Sequence, residues 1–217
     1  MSKLLDQIHE YVVTSGAIKP EDLDFMDHQS VYLAMEIAIY ANRNQYRING
    51  HRYIEHPFSM LENYRQFVGI IEDDPFCIDI DVMDKYNIPY WGVQEVCLLH
   101  DVIEDTELTM DDIESLFNEM GFETYFEANI KHPLSLITHD KSMPHDLYLI
   151  EVLQNPVSSI VKMCDFYDNL NPLTLDKCDE ETIKRSKRYF NHMIIIEKKY
   201  HFIENCKKYR DEFKSHK

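Results

Sequence analysis

The stretch LLHDVIEDT, residues 98 to 106, sets His100, Asp101, Glu104 and Asp105 inside an apolar run. Burying that much polarity beside Val96, Leu98, Leu99, Val102 and Ile103 is costly unless something charged compensates it. Read as a helix, His100 and Glu104 form an i,i+4 pair, and so do Asp101 and Asp105. Four groups able to bind a metal or move a proton then project from two adjoining faces of one turn. A divalent cation is the simplest compensation. A capped helix end with a solvated acidic turn is the alternative, and HDxxED by itself leaves both open.

Two other segments supply partners. YIEHP, residues 53 to 57, closes the turn-like RINGHR and puts His56 just before Pro57, at a helix start. SSIVKMCDFYDNL places Asp165 in another apolar run, with Lys162 three residues before it and Asn169 four after. His56, the His100-Asp101 pair and Asp165 make a set of two imidazoles and two carboxylates. That mix suits Mn(II), Fe(II), Co(II) or Zn(II) better than Ca(II), and no thiol enters it. Lys162 reads as a charge partner for a nearby carboxylate, with a phosphate contact as the other option.

The pattern HP…LLHDxxEDT…VKxxDxxxN resembles the HD superfamily of metal-dependent phosphohydrolases. More narrowly, it is similar to alarmone hydrolases, the hydrolase domains of RelA/SpoT proteins and their small single-domain relatives. The match covers residues 30 to 200 or so, and EDT after HD is its specific part. The resemblance implies metal ligands at His56, His100, Asp101 and Asp165, with Glu104 and Asp105 handling the water. It implies one divalent ion, with Mn2+ as the expected metal. RINGHRYIEHP follows R-x-S-G-x-x-Y-I-x-H-P, which puts Arg47 where the family stacks an arginine on guanine. ITHDK resembles the stretch whose lysine, here Lys141, lies near the substrate phosphates. Asn169, Arg185 and Tyr189 stand 4, 20 and 24 residues after Asp165, at the offsets of the family's nucleotide-contacting Asn, Arg and Tyr. Two features depart from the pattern. Ile48 stands where the family carries a basic residue, and the acidic stretch of residues 71 to 86 lengthens the His56–His100 interval to 44 positions (100 − 56).

Helical spacing of apolar residues, only five Gly and eight Pro, and few β-branched runs argue for an all-α chain. The resemblance makes it a compact HD-domain bundle. About ten helices are expected, near 2–14, 28–45, 57–68, 92–105, 109–119, 123–137, 145–154, 156–170, 179–198 and 200–213. Thr109 with Asp112, and Asp179 before EETIKRSKRYF, are capping signals. The length suits one domain, residues 1–217, with a core over about 30–200 and an acidic insert over about 70–90. The insert's acidic residues could bind a cation, but it reads rather as a solvated loop; a lid or subunit contact is the third option, because CIDIDV alternates and could form one short hairpin. A homo-oligomer stays open.

No signal peptide is read at MSKLLDQIHEYV, and no apolar segment approaches the ~20 residues of a membrane span. The five Cys (77, 97, 164, 178, 206) form no CxxC and read as reduced residues, several in apolar runs, of a cytoplasmic protein. A net charge of −17 argues against nucleic acid or an anionic membrane as partner. It does not exclude a small purine nucleotide, because Arg47, Lys141, Arg185 and a cation can set the local sign of a pocket. His132, His139, His145, His192 and His201 do not fall at recognised metal spacings and read as surface or satisfied core residues.

Three functions are weighed. The first is hydrolysis of the 3′-pyrophosphate of guanosine tetra- or pentaphosphate or a related purine alarmone. The second is an HD-type phosphohydrolase of nucleoside mono- or triphosphates. The third is a non-catalytic nucleotide-binding HD module. The intact HD, EDT and distal Asp disfavour the third. Arg47, Asn169, Arg185 and Tyr189 favour the first over the second. No synthetase-like segment is recognised, so alarmone synthesis is not expected.

Overall fold

The computed structural model describes residues 2–16, 30–47, 50–69, 80–172, 175 and 177–215. The described residues form helices and no named strand, as expected of an all-α chain. In chain order they are α1 (Lys3–Thr14), α2 (Ser30–Ala41), α3 (Glu55–Val68), α4 (Ile80–Lys85), α5 (Val93–Leu99), α6 (Val102–Asp105) and α7 (Met110–Glu119). Then follow α8 (Glu123–Asn129), α9 (Lys131–Ile137), α10 (His145–Val152), α11 (Pro156–Asn169), α12 (Glu180–Tyr200) and α13 (Phe202–Ser215).

The helix starts follow the sequence signals. Thr109 Oγ1 accepts from Asp112 N while Asp112 reaches back to Thr109 N, a reciprocal capping box. Asp179 caps α12 through Thr182 N, and Asn155 caps α11 ahead of Pro156. Asn155 does this because its side-chain oxygen reaches the orphan donors of Val157 and Ser158.

Two long helices expected from periodicity are divided. The span 92–105 breaks at His100-Asp101 into α5 and α6, and 123–137 breaks at Ile130 into α8 and α9. Apolar periodicity runs on across both breaks, so it carries no mark of them. CIDIDV, expected to be able to pair as a hairpin, is helical where it is described: Ile80–Lys85 form α4. Residues 70–79 of the insert, Cys77 and Ile48 lie outside the described residues.

The core gathers around α5, where Val93, Glu95, Val96, Cys97, Leu98 and Leu99 are all buried. Each buried aliphatic side chain contributes about 1.5–3 kcal/mol. α5 packs against α2, α3 and α11, and α3 packs against α11. α1 covers α2, α12 leans on α11, and α13 returns to α3. Gly92 precedes α5 at φ 76, where a Cβ would run into the Asn129 carbonyl. That close approach lets α8 seat against the start of α5, and only glycine accommodates both conditions. No described helix is long and apolar enough to cross a membrane.

Candidate metal centre and nucleotide cavity

α3, α5 and α11 pack pairwise, and each delivers part of the expected ligand set. His56 sits in the first turn of α3, beside Pro57. His100 and Asp101 form the break after α5, and Asp165 lies in the third turn of α11. His56, His100 and Asp101 each offer a ligand atom, all within 4.8 Å of one another. His56 Nε2 is 3.7 Å from Asp101 Oδ2 and 3.2 Å from Asp165 Oδ1. His100 Nε2 is 2.9 Å from Asp101 Oδ2.

Both imidazoles are turned the same way. His100 Nδ1 lies 3.0 Å from the Cys97 carbonyl, so that nitrogen carries the proton and Nε2 keeps a lone pair. His56 Nδ1 lies 2.6 Å from Asp168 Oδ2. An acceptor on Nδ1 of each ring leaves Nε2 for the shared space, the usual outer support of a metal-binding histidine. His100 Nε2 is buried and makes no hydrogen bond, since Asp101 Oδ2 is close but not aligned for one. Buried polar atoms without partners are rare, and a cation is what this lone pair and its carboxylate neighbours fit.

The electrostatics ask for positive charge at the same spot. Burial opposes protonation of His56, but Asp165, Asp168 and Asp101 outweigh it and lift its pKa to about 9. Burial also pushes Asp101 up, yet His100 and His56 hold it at about 2. Asp165 is held well below the carboxylate range, against its own burial, chiefly by Lys162. The Lys162 ammonium is 2.6 Å from Asp165 Oδ2, the charge pairing that its i,i+3 spacing suggests. Its pKa rises because Asp165 overcomes the burial penalty. A divalent ion held by these residues would supply that positive charge in place of the His56 proton.

The centre opens into a cavity of about 600 Å³. His56, Asp101, Glu104 and Asp165 line one part of it, and Arg47, Asn169, Arg185 and Tyr189 line others. Glu104 accepts from His139 N at 3.2 Å. Burial raises its pKa, helped by Asp101 and Asp105 and opposed by the His139 hydrogen bond. Asn169 Nδ2 donates to Asp165 Oδ1 at 2.5 Å. Tyr189 stacks on Phe166 with ring centroids 4.9 Å apart. Arg47 is held by the turn expected at RINGHR: Arg47 N donates to His51 O, and Tyr46 bridges Arg52. Its Nη1 donates to Asp168 Oδ2 at 2.9 Å. Asp105 and Lys141 are not brought into the lining. Lys141 Nζ lies 3.0 Å from Asp105 Oδ1, and this pair faces outward beside Glu104.

Sequence reasoning overlooked three groups. Asp168 is buried and accepts from His56, Arg47 and Ser59 Oγ. Its signal was its place three residues after Asp165, on the face that also carries Asn169. Tyr53, three residues before His56, donates its hydroxyl to Asp101 Oδ2. Arg188 lines the cavity one turn after Arg185.

No family model matches the chain. It is similar to the guanosine-3′,5′-bis(diphosphate) 3′-pyrophosphohydrolase MESH1 of Homo sapiens, 28% identical over 166 residues that span 72% of this chain and 76% of that protein. The Mus musculus MESH1 is 29% identical over 147 residues, 64% of this chain and 67% of the relative. A solved structure described as a metazoan ortholog of SpoT that hydrolyzes ppGpp superposes with a TM-score of 0.54 at 18% identity, over 84% of this chain and 94% of that one. That likeness is one of fold. The resemblance to HD phosphohydrolases of the RelA/SpoT type, and the all-helical HD fold it implied, are borne out.

Proposed function

We propose that this chain is a metal-dependent pyrophosphohydrolase that removes the 3′-pyrophosphate of guanosine 3′,5′-bis(diphosphate), or of a close purine relative. The observation that carries this reading is the buried, hydrogen-bond-free Nε2 of His100 lying beside Asp101 and His56, which themselves line a cavity of about 600 Å³. The names of the relatives support the substrate class.

In this reading His56, His100, Asp101 and Asp165 hold one ion; their nitrogen and oxygen donors suit Mn2+ among the transition-metal divalent ions, and the resemblance favours Mn2+. A divalent ion bound there lowers the pKa of water and polarises a phosphoryl oxygen. The net reaction adds water across the bond between the 3′ oxygen and its phosphorus. Hydroxyl goes to phosphorus, a proton goes to the 3′ oxygen, and pyrophosphate is released. Glu104 orients the water and takes its proton; its raised pKa suits a base that must later return a proton. Asp105 supports that raised pKa from outside the lining, and Lys141 anchors it. Asn169 and Arg185 offset charge developing on the phosphates. Arg47, tethered by Asp168, offers a guanidinium plane to the purine, and Tyr189 flanks the nucleotide from α12.

The purified full chain with Mn2+, offered a panel of nucleotides and followed by anion-exchange chromatography, tests this. Pyrophosphate released from the bis(diphosphate) is the expected product. Orthophosphate from ordinary nucleoside monophosphates, with the bis(diphosphate) untouched, overturns the reading.

A further inference from the structure

The wall of the cavity formed by α10 and α12 carries a basic cluster that the metal chemistry leaves unused. Arg188, His145 and His192 line it together. Among the described residues Arg188 has no carboxylate partner, and its guanidinium carbon lies 5.7 Å from the Tyr189 ring. Its Nε is buried and makes no hydrogen bond. Of the acidic residues nearby, Asp146 lies 3.5 Å from His192 and Asp179 pairs with Lys177 at 2.8 Å; Glu181 also lines the cavity, and no ion pair joins it to Arg188. Burial lowers the pKa of both His145 and His192; Arg188 adds to it at both, and Asp146 opposes it at His192.

A buried guanidinium nitrogen without an acceptor, on a residue that lines a cavity, matches an oxyanion. The planar fork of arginine fits phosphate oxygens two at a time. A substrate carrying phosphates on both the 3′ and 5′ positions must place the second group away from the ion. The wall of α10 and α12 is built from different elements than the metal ligands, which come from α3, α5 and α11.

We propose that Arg188, flanked by His145 and His192, forms a second phosphate subsite that binds the 5′-phosphates of the nucleotide while the 3′-pyrophosphate lies at the metal. This rests on the reading of the chain as a 3′-pyrophosphohydrolase, and it adds the residue that holds the remote charge. Losing one charged contact weakens binding about ten- to a hundredfold.

Two measurements test it. Arg188→Gln is expected to raise KM for guanosine 3′,5′-bis(diphosphate) at least tenfold with a small change in kcat. The same variant is expected to show a KM penalty at least tenfold smaller on guanosine 3′-diphosphate, which lacks the 5′ group. Equal penalties on the two substrates mean a structural role and overturn the proposal. Independently, inorganic pyrophosphate is titrated calorimetrically into the full chain in EDTA, where no ion contributes. Binding lost in Arg188→Gln and partly restored in Arg188→Lys supports the subsite. Undiminished binding in Arg188→Gln overturns it, even if the chain proves to act on another nucleotide. Circular dichroism of each variant separates misfolding from lost contact.

Discussion

Asp168 joins two functions through one carboxylate: Oδ2 meets both His56 Nδ1 and Arg47 Nη1. Asp168→Asn keeps the shape but can no longer offer an ionised acceptor to both. Metal affinity is expected to fall about 10–100-fold, the usual effect of removing a carboxylate behind a ligating histidine. Titration of the purified variant with Mn2+ checks this, and unchanged affinity would remove Asp168 from the support of His56. A second pair of variants separates holding the ion from handling the water. Asp101→Ala is expected to lose bound metal and activity together. Glu104→Gln is expected to retain metal and lose about 10²-fold or more in kcat, the scale of a general base. Metal analysis beside the kinetics decides the point, and a fully active Glu104→Gln enzyme removes Glu104 from the mechanism.

Among the elements, α5 carries both the fold and the site, and it also carries a liability. Glu95 is buried in it, and its carboxylate is met by Ser30 Oγ at 2.5 Å. Burial raises its pKa above the ordinary 4.5, although that hydrogen bond works the other way. The folded state therefore holds this proton more tightly than the unfolded chain. Its contribution is most favourable at acid pH and is lost as pH climbs from the unfolded pKa through the raised folded one. Glu95→Gln is expected to raise Tm at pH 8 and to narrow the difference between pH 5 and pH 8. Thermal melts at both values check it, and a lower Tm at pH 8 would refute it. The helices themselves were legible, because apolar spacing and the Thr109 and Asp179 caps are local facts. The break at His100-Asp101 was not: His100 turns back on the Cys97 carbonyl of its own helix, while Asp101 meets the Tyr53 hydroxyl from the distant turn before α3. The four residues proposed to hold the ion were named from motif and resemblance, and the fold brings them together. Asp168 and Arg188 could not, since an acid or a base on a helix face declares itself only when the opposite wall is known. Asp105 and Lys141 were both picked out individually, yet their pairing with each other depends on how the loop before α10 folds back.

At the scale of the whole molecule, the proposed reaction requires a chain of net charge −17 to admit a substrate of the same sign. Its basic residues are unevenly spread: Lys184, Arg185, Lys187, Arg188, Lys198 and Lys199 all lie on α12, which walls the cavity. Long-range repulsion is screened over about 10 Å at 0.1 M salt, whereas contacts inside the cavity are screened far less. Raising ionic strength from about 10 to 100 mM is therefore expected to increase kcat/KM for the bis(diphosphate) before any decline at higher salt. A steady fall from the lowest salt onward would show that α12 governs the field at long range. The pairwise packing of α3, α5 and α11 has another consequence. An ion held by residues 56, 100, 101 and 165, as proposed, would act as a removable cross-link between segments far apart in the chain. It would close two long loops of the unfolded polypeptide and add about 4 kcal/mol at a thousandfold excess over its dissociation constant. Susceptibility to proteolysis then reports ion occupancy, and a chelator is expected to speed digestion of the full chain many-fold. A cell short of the metal would lose the protein through turnover as well as its catalysis, so that supply of the ion sets how much enzyme persists.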